Sequence, residues 1–215
     1  MYNIRYFKAG DQQEVIEFMK AHPFVILCGV DVEGFPVATH IPVLLEERDG
    51  KLFITGHLMR KQDHTNAFAT HSEVLVIFSG PHAYISASWY SDPRVASTWN
   101  YQAVHAKGQL QFLDDHKLYE MLVKLTGHFE KDPNSPSQVK EMSEEYINSN
   151  MSAIIAFEVE VKELKHVFKL SQNHSESNYK SIIQHLEAGT DEEKAVARVM
   201  AERKDNVYSP EDPIT

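Results

Sequence analysis

The 215-residue chain holds a single cysteine, Cys28, so no disulfide can form within it. Cys28 lies inside the apolar run FVILCGV, which points to a buried, inert thiol and a reducing compartment. No apolar run approaches membrane-span length, and the N-terminal MYNIRYFKAG lacks the apolar stretch of a signal peptide. The expectation is a soluble, cytoplasmic protein without membrane contact. Positive charge is also short: Lys plus Arg number 21 against 31 Asp plus Glu, a net −10. Such a balance repels nucleic acid unless the basic groups are tightly gathered. The 12 histidines come without HExxH or HxH spacing and without cysteine partners, so no metal site is expected, although His57, His64 and His71 recur at regular intervals. A Gly-rich phosphate loop, a Ser-His-Asp spacing and an internal repeat are all missing. At this length the chain suits one domain, or one with a helical appendage. It can bury about 70% of its unfolded surface without a disulfide or metal staple.

What is present is concentrated between Phe35 and Lys61, FPVATHIPVLLEERDGKLFITGHLMRK. Two β-patterned runs flank Asp49-Gly50, the preferred chemistry of a tight hairpin turn. Val37, Thr39, Ile41 and Val43 are β-branched; Pro42 has no N–H to give, so it belongs at a strand edge or bulge where a ligand can approach. In the second run Leu52, Ile54 and Gly56 share one face, and Phe53, Thr55 and His57 the other. Arg60 and Lys61 follow, ahead of a helix-compatible stretch from about Gln62 to Thr70. Hydroxyl, imidazole, guanidinium and ammonium groups thus gather where a strand gives way to a helix, as in sites that hold phosphate. On composition alone the cluster reads first as a solvated hairpin end.

Elsewhere, Asp11 and Glu14 open a helix bearing Val15, Phe18 and Met19 that Pro23 stops. Phe24–Val30 reads as a strand buried on both sides. Val74–Phe78 reads as another, broken by the turn chemistry of Ser79-Gly80-Pro81, with a short strand at Ala83–Ile85. Trp99–Phe112 alternates as a long strand. Asp114 caps a helix reaching about Phe129, with Tyr119, Leu122, Val123 and Leu125 expected inward. The stretch from Asp132 to Ser137 reads as a linker, followed by a polar helix from about Gln138 to Asn148. Ile154–Val161 reads as the last long strand. Two helices split at Gly189 and a polar tail from Asp205 to Thr215 close the chain. This rhythm excludes a doubly wound sheet and fits an α+β protein, an antiparallel barrel decorated by helices.

Four segments, ATHIPVLL (Ala38 to Leu45), GHLMR (Gly56 to Arg60), GPHAYISASWY (Gly80 to Tyr90) and TWNYQAVHAKG (Thr98 to Gly108), with FKLSQN (Phe168 to Asn173), carry a resemblance. Together they resemble the PaiB-type family, described as FMN-binding negative transcriptional regulators, within the pyridoxamine-phosphate-oxidase-like superfamily. The resemblance implies an FMN-binding split β-barrel over residues 1–173, with a helical extension and polar tail over 174–215. It implies a homodimer with flavin at the subunit interface. His40, Ile41, Pro42, Val43 and Leu44 would run along the isoalloxazine, their amides at its polar edge; Ile54 lies beside them on the second run. Thr55, Arg60 and Lys61 match phosphate-binding positions, with His57 between them. Lys169 matches a basic residue near the ring. Trp99, Asn100 and Tyr101 would reach across the dimer. Two departures count against pyridoxamine-phosphate oxidase activity: Leu45 stands where the oxidases place a substrate-binding lysine, and Ala103 where they place a flavin-facing glutamine. The alternative is a flavin-dependent oxidoreductase acting on a small molecule, or a barrel that holds haem or has lost its ligand. Direct DNA binding is not expected.

Overall fold

The computed structural model describes Met1, Tyr2 and residues 4–208. Its elements in order are α1 (Gln12–Ala21), β1 (Phe24–Val30), β2 (Pro36–Pro42), β3 (Leu44–Arg48), β4 (Lys51–Met59), α2 (Asp63–Thr70), β5 (Glu73–Ile85), β6 (Thr98–Phe112), α3 (Asp115–Glu130), α4 (Glu144–Met151), β7 (Ile154–Lys169), α5 (Glu176–Glu187) and α6 (Asp191–Val207). The chain divides into two compact units. One takes Met1–Phe18, Ser79–Val104 and the chain from Lys165 onward; the other takes Met19–Phe78 and His105–Leu164.

The strands form a seven-stranded sheet in the order β2-β1-β5-β6-β7-β4-β3. β1 pairs antiparallel with β2 and β5, and β4 with β3 and β7. β2 and β3 stand at opposite ends of this order, yet only Val43 separates them in sequence. One residue can bridge the two edges only if the sheet curls back on itself, so the sheet forms a split, antiparallel half-barrel. Gly56 marks the closure. A Cβ there would stand 3.1 Å from the Pro42 carbonyl oxygen and 3.0 Å from the Phe157 ring, so a side chain would press on both and force a neighbour to give by a few tenths of an ångström. Asp49 (φ 52°) and Gly50 (φ 72°) both take positive φ, the geometry of the tight turn joining β3 to β4.

Several expectations are corrected here. The first β-run is two strands, because Val43 leaves the ladder and its N–H bonds the Pro23 carbonyl at 2.9 Å. β1 is not buried on both sides: Val25 and Leu27 are buried, while Phe24 is 65% exposed, since only one face of a barrel strand points inward. Ser79-Gly80-Pro81 does not break β5. The pairing with β1 registers at Leu75–Ile77, so the missing N–H of Pro81 interrupts no rung there. On α3 the buried stripe is Leu118, Met121 and Leu125, spaced three, four and seven apart; Tyr119 and Val123 face solvent. The stretch from Asp132 to Ser137 is a packed turn rather than a loose linker, held by Gln138 Nε2 donating to the Asp132 carbonyl at 2.8 Å. Helix α4 starts after Ser143, whose hydroxyl caps it, not at Gln138.

The first unit has its own core. Ala83, Ile85, Ala87 and Tyr90 pack with Tyr179, Ile182 and Leu186 of α5 and Val196 and Met200 of α6. Tyr179 is fully buried and donates its hydroxyl to the Met200 carbonyl at 2.9 Å, which satisfies it. Thr190 and Glu193 form a reciprocal capping box at the start of α6. Near its far end Arg203 pairs with Glu14 and lies over the Phe168 ring. Asp205 and the residues to Val207 belong to α6; the rest of the expected polar tail beyond Tyr208 lies outside the described residues.

Candidate cofactor site

Residues directly opposite in a ladder share a face, so Leu44, Thr55 and Glu158 lie together, as do His57 and Ala156. Leu44 and Ala156 pack against Leu118, Met121 and Leu125, so α3 covers this face of β4. Thr55 is buried and lines a cleft of about 420 Å³ with Arg48, Lys117, Lys124 and three glutamates. Each cation already meets a carboxylate: Arg48 with Glu158, Lys117 with Glu120 at 2.9 Å, and Lys124 with Glu46 at 2.7 Å. The cleft is charge-balanced and has no cation to spare for an anion. Glu158 is a participant that sequence reasoning missed; its place opposite Thr55 in the ladder is a long-range fact with no local signal.

His57 is different. Its ring is half-buried, burial pushes its pKa below the ordinary 6.5, and Nδ1 has no hydrogen-bond partner among the described residues. A buried polar atom left unmatched costs about 1–3 kcal/mol, so this nitrogen is placed to accept or donate once a ligand or water arrives.

The end of β4 is tied down by its backbone. Thr65 Oγ1 donates to the Met59 carbonyl at 2.8 Å, and the Arg60 N–H to the Ala153 carbonyl at 2.8 Å. Lys61 then takes the left-handed conformation (φ 60°), which turns the chain into α2. Gln62, at the N-cap, makes no side-chain cap, which leaves the first-turn amides of α2 to other acceptors apart from the His64 N–H, bonded to Asp63 at 2.7 Å. Arg60 makes an exposed pair with Asp115 at 3.2 Å, a contact worth at most about 1 kcal/mol and readily exchanged. No ion pair among the described residues engages Lys61. Two cations and a helix start therefore adjoin, which fits a phosphate. Thr55 is not part of this cluster, because Arg60 lies five residues further along the chain, about 16 Å at roughly 3.3 Å per residue. Ile54 is fully buried on the opposite face and offers no side chain to a ligand.

Along β2, His40 is exposed and its ring lies 6.3 Å from that of Phe24; Ile41 is buried. Pro42 ends this edge strand, as its chemistry requires. The Val43 amide, expected at the flavin edge, is already bonded to Pro23. Leu44 sits under α3, and Leu45 lines a separate cavity of about 290 Å³.

In the first unit Asn100 is fully buried. It accepts from Ser171 Oγ at 3.0 Å, and its amide donates to the Met200 sulfur at 3.4 Å. It cannot reach across a dimer, and that expectation is corrected: on β6 the even-numbered residues from Asn100 face inward. Trp99 and Tyr101 face the other way. Lys169 is half-buried and donates to the Thr98 hydroxyl and, at 3.0 Å, to the Trp99 carbonyl; burial pushes its pKa down. The FKLSQN segment is tightly made. Ser171 is buried at φ 64°, and Gln172 clasps its own turn by accepting from the Leu170 N–H at 2.7 Å.

A curled antiparallel sheet flanked by helices is the fold of the split-barrel proteins. The family model described as "Putative FMN-binding domain" matches residues 1–163, and the chain belongs to that family, whose cofactor is FMN. It is similar to "Protease synthase and sporulation protein PAI 2" of Bacillus subtilis, 36% identical over 202 residues, covering 94% of this chain and 95% of that protein. An uncharacterized protein of Emericella nidulans is 28% identical over 77% of this chain and 81% of its own length. Among solved structures, the FAD and haem binding protein of Mycobacterium smegmatis shares the fold at TM-score 0.57 and 16% identity, over 75% of this chain and 72% of that one. A conserved hypothetical protein of Mycobacterium tuberculosis does so at TM-score 0.54 and 10% identity, over 81% and 94%.

Proposed function

We propose that this protein is a homodimeric FMN-binding split barrel of the PaiB type, and that it acts on gene expression indirectly, through a flavin-linked state or a partner. The observation that carries the reading is the adjoining of Arg60, Lys61 and the uncapped start of α2, with the unmatched His57 nitrogen three residues back along β4. Arg60 and Lys61 would hold the phosphate, and His57 would meet the ribityl chain or ring. Bound FMN supplies one- or two-electron redox chemistry; the chain's own residues bind and orient it. The regulatory part rests on the kinship with the Bacillus sporulation protein, whose name links it to protease synthesis and sporulation.

The dimer would not rest on the apolar residues between Ala83 and Tyr90. Ala83, Ile85, Ala87 and Tyr90 are covered by the chain's own α5 and α6. Bare apolar side chains instead lie at the two ends of β1: Phe24 at its start, and Val30, Val32 and Phe35 at its end and following turn, from 42 to 71% exposed. Exposed apolar side chains of this size suit a self-complementary interface.

Against direct DNA reading stand the net charge of −10 and the acidic first turns of α4 (Glu144, Glu145) and α6 (Asp191, Glu192, Glu193). The test is an absorbance scan of freshly purified protein, followed by a gel shift at about 0.15 M salt with specific and scrambled promoter duplexes. Flavin bands without a selective shift are expected. A sequence-selective shift at nanomolar protein overturns the indirect reading. A second reading, a flavin-dependent oxidoreductase, is favoured by Lys169, a half-buried ammonium with only neutral acceptors around it, suited to an electron-rich ligand edge. Steady NAD(P)H turnover by the FMN-loaded protein would select it.

A further inference from the structure

The cleft of about 420 Å³ between α3 and the strands lies within one compact unit, and its charged lining balances: Arg48, Lys117 and Lys124 against Glu46, Glu120 and Glu158. Pairing does not exhaust these groups. A lysine ammonium has three donors; Lys117 spends one on Glu120 at 2.9 Å and Lys124 one on Glu46 at 2.7 Å. Glu158 accepts from Arg48 on one carboxylate oxygen and from Gln111, at 3.1 Å, on the other, so each oxygen keeps a lone pair. Depth separates the signs. The Glu158 side chain is 11% exposed, whereas those of Lys117 and Lys124 are 57 and 58% exposed. A carboxylate therefore sits at the base of the cleft and ammonium groups at its mouth. Lys117 and Lys124 stand two turns apart on one face of α3, and Met121 between them joins Leu113 as an apolar wall. An ion-pair network that served only to hold α3 would close on itself, but this one borders open space. A lone anion entering it would meet Glu158, and a lone cation the lysines. A ligand carrying both an ammonium and a carboxylate meets its complement at each end and adds to the standing pairs without displacing one.

We propose that this cleft binds a zwitterionic, aliphatic α-amino acid. The ligand's ammonium donates to Glu158, its carboxylate accepts from Lys117 and Lys124, and its side chain lies on Met121 and Leu113. The site stands apart from the Arg60–Lys61 cluster. Glu158, Glu46 and Arg48 occupy rungs that run from Thr55 back to Lys51 along β4, away from Arg60. An amino acid here is a second small-molecule input beside FMN.

Calorimetric titration of the full-length protein, with and without saturating FMN, tests it with leucine and its two half-ligands: isocaproate, which lacks the ammonium, and isoamylamine, which lacks the carboxylate. Leucine should bind saturably at millimolar concentration, and each half-ligand about tenfold more weakly, the worth of one charge-assisted contact. Lys117→Gln/Lys124→Gln should bring leucine down to the level of isoamylamine without weakening isoamylamine itself. Glu158→Gln should weaken leucine and isoamylamine alike, about tenfold, and spare isocaproate. The two lysines are exposed, so their double variant keeps its fold and carries the test even if Glu158→Gln unfolds. FMN affinity should hold in both variants. No saturable leucine binding, a half-ligand that binds as well as leucine, or a leucine affinity indifferent to the lysines overturns the proposal and leaves the FMN reading intact. Leucine binding abolished by FMN, or FMN affinity lost in the lysine variant, also overturns it, by merging the cleft with the flavin site.

Discussion

Apolar residues of β1 and of the end of β5 are treated in opposite ways. In the unit built on Met19–Phe78 and His105–Leu164, Phe24 and Val30 of β1 are left bare, and Leu75 and Ile77 of β5 are only half-covered. In the unit that includes Ser79–Val104, the same alternate positions further along β5, Ala83 and Ile85, are fully covered by α5 and α6. Where the chain has helices to spare it covers the strand itself. On β1 the outward side chains stay open to solvent. The apolar residues Ala83, Ile85, Ala87 and Tyr90 build an internal core rather than an open surface.

Variants that break this contrast should differ in kind. Leu186→Ala removes a fully buried contact of the helix-covered core and should lower unfolding free energy by about 2–5 kcal/mol in urea titrations, the largest effect expected. Phe24→Glu should leave unfolding nearly unchanged, within about 0.5 kcal/mol when extrapolated to the monomer, but shift sedimentation from dimer to monomer at micromolar concentration. A change of fold stability instead, with the dimer intact, would place Phe24 in the wrong category.

Acid should act through buried imidazoles. Burial, as the leading cause, holds His57, His105, His166 and His174 below the ordinary 6.5. For a base whose folded pKa is depressed, the unfolded chain takes the proton first as pH falls. The stability present above 6.5 is therefore lost as pH drops through 6.5 toward the folded values. Denaturation midpoints measured from pH 7.5 to 5 should fall, and His57→Gln should flatten that fall. The smallest effect is expected at Lys61. Its left-handed backbone favours glycine, so Lys61→Gly should raise stability by up to about 1 kcal/mol while weakening FMN, a pair of opposite signs that a damaged fold would not give.

Much of the architecture was legible because it is local. Asp49-Gly50 announced its turn, Asp114 its helix, and the alternation of Trp99–Phe112 a long strand. What stayed hidden depends on distant partners. Phe24–Val30 is apolar throughout, and no local signal says that Phe24 will face outward. Gly80-Pro81 looks like a turn unless the end of the β1 register at Ile77 is known. At the site, Arg60 and Lys61 stood out as adjacent cations, and the structure adds the uncapped helix beside them. Thr55 was grouped with them by likeness, but strand geometry sets it in a separate, charge-balanced cleft. The pairing of Arg48 with Glu158 joins residues far apart in the chain and could not be read from either neighbourhood.

The central claim, that Arg60 and Lys61 hold the flavin phosphate, is tested most directly by calorimetric titration of FMN into apoprotein and into Arg60→Ala/Lys61→Ala. Each lost charge-assisted contact removes about 1.5–3 kcal/mol of binding, whereas an exposed pair contributes at most about 1 kcal/mol to the fold. The account predicts that FMN affinity falls by at least two orders of magnitude, that riboflavin affinity barely changes, and that the unfolding midpoint holds. Equal FMN affinity in the two proteins would contradict it.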